Sequence, residues 1–583
     1  GVLMETTDRA ERIKSLSATV LVLAAIAVLE YVFFAKVLFN DALIGDINDS
    51  RLNNLLVEHW YNAFCGKESF SVVNIFYPMP DTVAFTDMLL GFAIPYSILR
   101  AFGVNMFLAN KIVLIAFHIM GSYAMYYLLR RKFKISSLWS FVGVVIFSYS
   151  SAYYVRIGHT QLMAISLIPV LIIFIYSFFE YFESNKKRII YGFLSITSYA
   201  LIMYTSWYTA FFTALFFVTL AIVYLAVAYS NKNHVLKNVW AYVKKCRKEV
   251  AAYVVYAVCI VIPFFMLYIP VSRRFGERSY GEIVQQLPEL IDFFNVSTGN
   301  RMLGWVIEKL DLNGRAETNG MFVWELHVGF SIIVMVLLVF LFFYTRRKYL
   351  KAKYGALQSK GVYDNNDMTL GISMIYSVFV SFILLVQSNG ASLWLFVYKL
   401  FPGASAIRAA VRYNFFLTIP IAIIIAVGGY KICQKYELKL VFKAAIPVLT
   451  AALIWYSNSN IYGIQSDWTS TEEERQLSTV SAPPEDCEAM YIVDTNPSAH
   501  TYNGEKYSWV SYQHFAWEIC EKYELKNLNG YSGQFPVGWA LNNADGEDIH
   551  KYATDWIEGT NITLKVYYYD MGTDTWHAYV PVE

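Results

Sequence analysis

The chain has 583 residues, of which 56% are hydrophobic and 17% aromatic but only 16% charged, with a mean hydropathy of +0.39. Soluble domains average about 25% charged residues, so the composition excludes an ordinary water-soluble globular protein and points to a polytopic membrane protein. A net charge of +2 gives no basis for a nucleic-acid partner and leaves the placement of charge, rather than its sum, as the informative quantity.

Apolar runs near the length needed to cross a bilayer are expected to span at 16–38, 107–129, 136–155, 162–183, 189–205, 208–229, 250–270, 327–344, 368–387, 414–433 and 440–457. No cleavable signal peptide is expected: the first run is itself long enough to span, and no short apolar region ending in a small-residue cleavage site precedes it. Basic clusters occur at RRKFK (130–134), at NKKR (185–188), between Lys232 and Lys248, at RRKYLKAK (346–353) and between Lys431 and Lys443. Placing them all in the cytoplasm puts every one on the same side, together with Arg9, Arg12 and Lys14. The expectation is therefore about eleven spans, a cytoplasmic N-terminus and an extracytoplasmic C-terminus. The stretch DMLLGFAIPYSILRAFG (87–103) is short and carries Pro95; crossing there would break the charge pattern, so it reads as a re-entrant or interfacial helix.

Two domains follow. Residues 1–457 form the multi-span part with outer loops 39–106 and 271–326, and residues 458–583 form a small extracytoplasmic α/β domain. The latter holds strand-like AMYIVD (489–494) and ITLKVYYYD (562–570) and helix-like SYQHFAWEICEKYE (511–524). Cys487 and Cys520 both fall in it, and could either pair or serve as small buried apolar residues.

Charge then gathers where outer loops meet the membrane. FNDALIGDINDSRLNN (39–54) follows the first span directly, with Asp41, Asp46, Asp49 and Arg51; YPMPDTVAFTD adds Asp81 and Asp87. RIGHTQ brings Arg156, His159 and Gln161, and the long second loop brings Arg273, Arg274, Glu277, Arg278, Arg301, Glu317, Glu325 and His327. PGASAIRAAVRYNFF brings Arg408 and Arg412, which would share one face if 405–415 were helical. Guanidinium forks suit a lipid-borne phosphate, although lipid headgroups in general would also attract them. A carboxylate nearby could act as general base toward an incoming hydroxyl. Asp46 and Asp49 are the candidates, as catalytic groups and, together, as ligands of a divalent cation such as Mg or Mn. Asp49 or Ser50 could instead cap the following helix SRLNNLLVEHWYNAF, whereas no such structural task is evident for Asp46. Glu30, inside the first span, is a further candidate because intramembrane carboxylates are commonly functional. Lys111 and His118 are expected to satisfy buried partners. In NGYSGQFP, Tyr531 and its neighbouring asparagine could meet sugar hydroxyls, or the stretch could be a structural turn.

These features resemble the GT-C superfamily of integral membrane glycosyltransferases, and more narrowly the bacterial YfhO-type membrane proteins. The resemblance rests on GDINDSRL, YPMPDTVAFTDMLLG, RIGHTQLMAISLIPV, IRAAVRYNFF and NGYSGQFPVGW. It implies transfer of a sugar, with inversion, from a polyprenyl-phosphate-linked donor to a cell-surface glycan or lipid acceptor such as a teichoic acid, glycolipid or polysaccharide. The site would be at the outer face of a bacterial cytoplasmic membrane. It maps the acidic base or metal ligand to Asp46, with Asp49 second, and donor-phosphate binding to Arg408 and Arg412. His159, Arg156, Asp87, Glu30 and Tyr531 complete the expected pocket. The motif is DxxD rather than DxD, which leaves metal dependence open. Two other readings stay open, a lipid-linked glycan polymerase or ligase and a membrane transporter; the charges gathering on the outer loops and the lack of a visible repeat weigh against the last.

Overall fold

The computed structural model describes residues 2–359, 361–436, 438–502 and 505–582. Among the described residues, nine helices are long and apolar enough to cross a membrane: Leu16–Phe34, Met106–Lys132, Ser137–Arg156, Thr160–Glu180, Trp207–Ser230, Arg247–Phe275, Asn366–Leu385, Ala410–Lys435 and Leu440–Asn458. Helices also form at the other two expected places, Asn185–Thr205 and Ile332–Ser359. They are long enough to span but more polar, the first opening on NKKR and the second carrying RRKYLKAK in its latter half. The chain is a membrane protein built mainly of helices.

The segment around Pro95 forms the helix Leu90–Ala101, at 12 residues too short to cross a bilayer. Its start is tied to the Asn185–Thr205 helix through Leu89 N–H to Thr205 O (3.1 Å) and Gly91 N–H to Thr205 Oγ1 (3.0 Å). Gly91 has no room for a side chain, since a Cβ would lie 2.3 Å from Thr205 Oγ1.

A small sheet region occupies the C-terminal part. Its strand order is Lys526–Asn527, Ala489–Val493, Val566–Asp570, Thr575–Ala578; the first three run parallel and the last antiparallel. The run AMYIV is apolar throughout because helices cover both faces. Met490 and Ile492 pack with Phe515, Ile519 and Cys520 from the helix Trp509–Tyr523, whereas Ala489, Tyr491 and Val493 pack with Ala553, Trp556 and Ile557 from the helix Ile549–Gly559. The period of two in side-chain direction divides that single run between two cores. Cys487 and Cys520 are both free and buried, so of the two expected roles the apolar one is realised.

The long loop between the first two spans is sewn to this region. Phe76 and Tyr77 donate their N–H groups to Asn529 O and Asn527 O (both 2.9 Å), and Trp556 Nε1 donates to Tyr77 O (2.9 Å). Residues 42–45 pair with 465–469: Gly45 N–H reaches Gln465 O (2.8 Å), and Asp467 N–H returns to Gly45 O (2.9 Å). The helix Asp49–Phe64, most of it buried, lies between the spans and the sheet region, and Arg51 joins the two by ion pairs to Glu518 (2.5 Å) and Glu473 (2.8 Å).

Candidate active site

The carboxylates of GDINDS are set by a close meeting of two loops. Gly45 sits at φ +90°, and a Cβ there would collide with Ser50 Oγ at 1.8 Å and with Gly158 Cα at 2.7 Å. Ser50 Oγ accepts from Asp46 N–H (3.1 Å) and donates to Gly158 O (2.7 Å), so RIGHTQ lies directly against the start of the Asp49–Phe64 helix. That contact delivers His159: its Nε2 stands 3.2 Å from Asp49 Oδ2 and 4.0 Å from Glu325 Oε1.

Glu325 continues the network. It accepts a bidentate pair from Arg412, Nε to Oε2 at 2.8 Å and Nη2 to Oε1 at 2.7 Å, and Arg156 Nη2 lies 3.8 Å away. Carboxylate from the first loop and guanidinium from the last outer segment therefore meet through only two side chains, His159 and Glu325. Burial works to raise the Glu325 carboxyl, but Arg412 and Arg156 outweigh it and hold it well below the ordinary range. Burial, then Arg412, lowers His159 to about 4, which keeps the imidazole neutral at pH 7.

Three expectations are corrected here. The capping task falls to Asp46, not Asp49: Asp46 Oδ1 accepts from the N–H groups of Asn48 (3.0 Å) and Ser50 (3.3 Å), while the Asp49 side chain, 33% exposed, faces His159. The reason is local, because a carboxylate three residues ahead of the helix can turn back onto N–H groups that lack helical partners. Residues 405–415 are not one helix but two tight turns, Ala404–Ala406 and Ala410–Arg412, with extended backbone between them. Arg408 and Arg412 consequently do not share a face. Arg412 is buried against Glu325, whereas Arg408 is exposed and, among the described residues, forms no ion pair. Finally, the asparagine beside Tyr531 is unavailable to a ligand: Asn529 is buried, accepting from Ile492 N–H (2.9 Å) and donating to Gln513 Oε1 (2.9 Å).

Other expected residues divide. Asp87 holds the start of the Trp207–Ser230 helix through Trp207 N–H (2.7 Å); burial raises it to about 6, eased by that bond and by nearby Arg412. Tyr531 lies near the carboxylates of the first loop. Burial and then the Asp49 carboxylate push its phenol up, and Arg408 acts on it in the opposite sense. Glu30 stands apart, inside the helix bundle, bonded to His118 Nδ1 (2.8 Å), Ser122 Oγ (2.5 Å) and Tyr149 OH (3.0 Å). It is 4% exposed and does not reach water. Lys111 Nζ donates to the carbonyls of Val37 (3.1 Å), Asn40 (2.7 Å) and Ala42 (3.1 Å), fixing the exit of the first span.

Glu325 is the main residue that sequence reasoning did not single out among the loop charges. Its signal was a carboxylate directly ahead of the apolar run HVGFSIIVMVLLVFLFF, the mirror of Asp46 directly behind one. Tyr208 was also missed; its ring lies under Arg412 at 5.2 Å, and its hydroxyl accepts from the N–H groups of Arg408 (3.1 Å) and Ala409 (3.2 Å).

Burial, then the neighbouring Asp49, raises Asp46 to about 6. Several polar atoms in the network have no hydrogen-bond partner: Arg156 Nε and Nη2 and His159 Nδ1 are buried and unsatisfied. A divalent cation fits this arrangement poorly. Asp46 Oδ1 is taken by backbone N–H groups, two arginines adjoin the remaining donors, and among the described residues no three His, Cys, Asp or Glu groups gather closely enough to hold a metal ion. A cavity of about 560 Å³ opens between residues 62–80 and 520–526, near the other end of the Asp49–Phe64 helix; none of the clustered charges lines it.

No family model matches the chain, and no curated protein matches it significantly. Solved structures do. The oligosaccharyltransferase of Archaeoglobus fulgidus, tethered with an acceptor peptide containing the NVT sequon via a disulfide bond, superposes with a TM-score of 0.51 and 11% identity, covering 94% of this chain and 68% of that one. The same protein in its apo form gives a TM-score of 0.50 and 11% identity, covering 94% and 69%. ArnT from Cupriavidus metallidurans bound to undecaprenyl phosphate gives a TM-score of only 0.35 at 11% identity, covering 87% and 85%, which is too weak to carry weight. At these identities the likeness is one of fold. The chain has a GT-C-like membrane fold, apolar helices joined by charged loops and followed by a small sheet region, as the resemblance of its motifs implied.

Proposed function

We propose that the chain is a glycosyltransferase that moves a sugar from a polyprenyl-phosphate-linked donor to a cell-surface acceptor at the outer face of a bacterial cytoplasmic membrane. The observation that carries this reading is the unbroken contact path Asp49–His159–Glu325–Arg412, with Asp46 and Arg156 beside it. It joins loops that the basic clusters assign to one side of the membrane, and it keeps unsatisfied guanidinium atoms for an anion. The proposed topology has the N-terminus in the cytoplasm and residues 458–583 outside as a second domain.

Asp46 is the general base. Its Oδ1 is pinned by the N–H groups of Asn48 and Ser50, its carboxyl is raised to about 6, and it takes the proton of the acceptor hydroxyl as the hydroxyl oxygen bonds to the anomeric carbon. The bond between that carbon and the phosphate oxygen breaks, and the leaving phosphate gathers negative charge. Arg408 and the open donors of Arg156 stabilise it; Arg412, held by Glu325, sets their position. Displacement by one nucleophile inverts the sugar. No step requires a metal. The reading does not depend on the narrower YfhO-type resemblance.

The test is transfer of labelled sugar from a synthetic polyprenyl-phosphate donor to envelope glycan or glycolipid by the purified protein in liposomes. The expected result is transfer that Asp46→Asn reduces by roughly 10²–10⁴-fold with the fold intact. Full activity in Asp46→Asn would favour a polymerase or ligase instead, and flux of the donor across the bilayer without transfer would favour a transporter.

A further inference from the structure

The same site has an aromatic wall that no step above uses. Trp509, Tyr531 and Phe535 form a triangle, with ring centroids 5.4 Å apart for Trp509–Tyr531, 6.1 Å for Tyr531–Phe535 and 6.0 Å for Trp509–Phe535. Large aromatic rings normally bury themselves, yet Trp509 and Phe535 are each 38% exposed.

The triangle is held rigidly. Trp509 opens the helix Trp509–Tyr523, whose N-cap Ser508 accepts from Ser511 N–H and donates to Asn48 Oδ1 (3.3 Å). Asn48 is itself the N-cap of the Asp49–Phe64 helix, so the two helices start side by side. Gln513 Oε1 accepts from Gly530 N–H (3.1 Å), and a Cβ on Gly530 would meet the Phe76 ring at 2.6 Å, so the loop bearing Tyr531 is pressed onto the first outer loop. Behind it, Phe535 stacks on Trp539 (5.7 Å) and meets Phe76 edge-on (5.8 Å). Two buried polar atoms near the triangle lack partners, His514 Nε2, whose ring lies 5.4 Å from Tyr531, and Ser532 Oγ.

Its neighbours are Asp46, Asp49 and Arg408, the groups that act electrostatically on Tyr531. A half-exposed aromatic cluster, its rings inclined to one another by 52–70°, with carboxylates and unsatisfied polar atoms beside it, matches one ligand chemistry, the pyranose ring, which offers C–H groups to aromatic faces and hydroxyls around its rim. We infer that Trp509, Tyr531 and Phe535 seat a pyranose ring of the acceptor, so that the acceptor ends in a sugar rather than in a polyol phosphate. This rests on the transferase reading for the word acceptor, though not for the binding itself. The acceptor side follows from the base: Asp46, which takes the proton of the acceptor hydroxyl, is one of the groups that act on Tyr531. A polyol phosphate has no ring to stack and would bring negative charge toward Asp46 and Asp49.

Two measurements on the full chain in lipid nanodiscs test this. Saturation-transfer NMR with methyl β-glucopyranoside and with glycerol 1-phosphate as probes should show saturation of the ring protons alone. The signal should fall about tenfold in Trp509→Ala and in Phe535→Leu, and Trp509→Phe should restore most of it. Equal signals in wild type and both variants, or a preference for glycerol 1-phosphate, would overturn the proposal. In the transfer assay, Trp509→Ala should raise the acceptor KM about tenfold with kcat and the donor KM little changed. A rise confined to the donor KM would overturn the assignment to the acceptor. If the wild type binds the ring probe through Trp509 yet transfers no sugar, the sugar seat stands and the transferase reading falls.

Discussion

Two polar networks with similar components behave in opposite ways. Around Glu30 within the helix bundle, Ser122 and Tyr149 bond Oε1, His118 bonds Oε2, and the other nitrogen of His118 meets Ser148 O at 2.8 Å. Around Glu325 at the ends of the spans, Arg156 Nε, Arg156 Nη2 and His159 Nδ1 have no hydrogen-bond partner among the described residues, and Arg408 is exposed. A buried polar group left open is destabilising by about 1–3 kcal/mol, so a fold keeps several together only where something else fills them. The first network is closed on itself within the bundle; the second leaves donors open, which the proposed donor-phosphate role uses.

The comparison can be broken in four ways. The largest effect is expected from Glu325→Gln, which leaves Arg412 and Arg156 buried without their counter-charge. It should lower stability by about 3–5 kcal/mol, read as a drop in the thermal midpoint, and abolish transfer with it. An unchanged midpoint would mean that the arginines find other partners. Next, Arg408→Ala removes the one exposed guanidinium at the site. It should weaken donor binding about tenfold while the midpoint stays in place, and a strong loss of stability instead would mark Arg408 as structural.

A smaller shift should appear in the pH profile. With Asp46 as base at about 6, activity rises with pH through that value and levels off above it, because only the ionised form accepts a proton. Asp49→Asn removes one of the causes that raise Asp46, so the acid limb should move to lower pH; a limb that stays put would show that Asp46 does not govern it. The smallest effect on catalysis belongs to Glu30→Gln. Transfer should stay within about twofold of wild type while the thermal midpoint falls by an amount matching about 1–3 kcal/mol. A large fall in kcat at unchanged stability would move Glu30 into the active site.

Much of this site was legible in the chain. Asp46, Asp49, Arg156, His159 and Arg412 announce themselves as candidates because charge directly beside apolar runs is confined to the membrane surface, which reduces a search in three dimensions to one plane; Tyr531 does so through the turn chemistry of NGYSGQFP. Roles within the plane were not legible. Whether Asp46 or Asp49 caps the helix depends on which N–H groups the loop presents, and a loop pinned by Gly158 and Gln465, far off in sequence, decides that. The expected helix at 405–415 failed for a related reason: residues 404–412 are shaped by Tyr208, which binds two of their N–H groups, and by Glu325, which claims Arg412.

Composition and the apolar runs by themselves determined that this is a membrane protein of many helices, because within a bilayer few other structures satisfy the backbone N–H and C=O groups of an apolar run. The short apolar run AMYIV likewise marked a strand, and the structure added that both of its faces are buried. Only the tertiary structure decided which charges are neutralised and which are left open. That depends on pairings between residues far apart in the chain, such as Glu325 with Arg412, 87 positions on, and Arg51 with Glu518, 467 positions on, which leave no periodic trace in either local sequence.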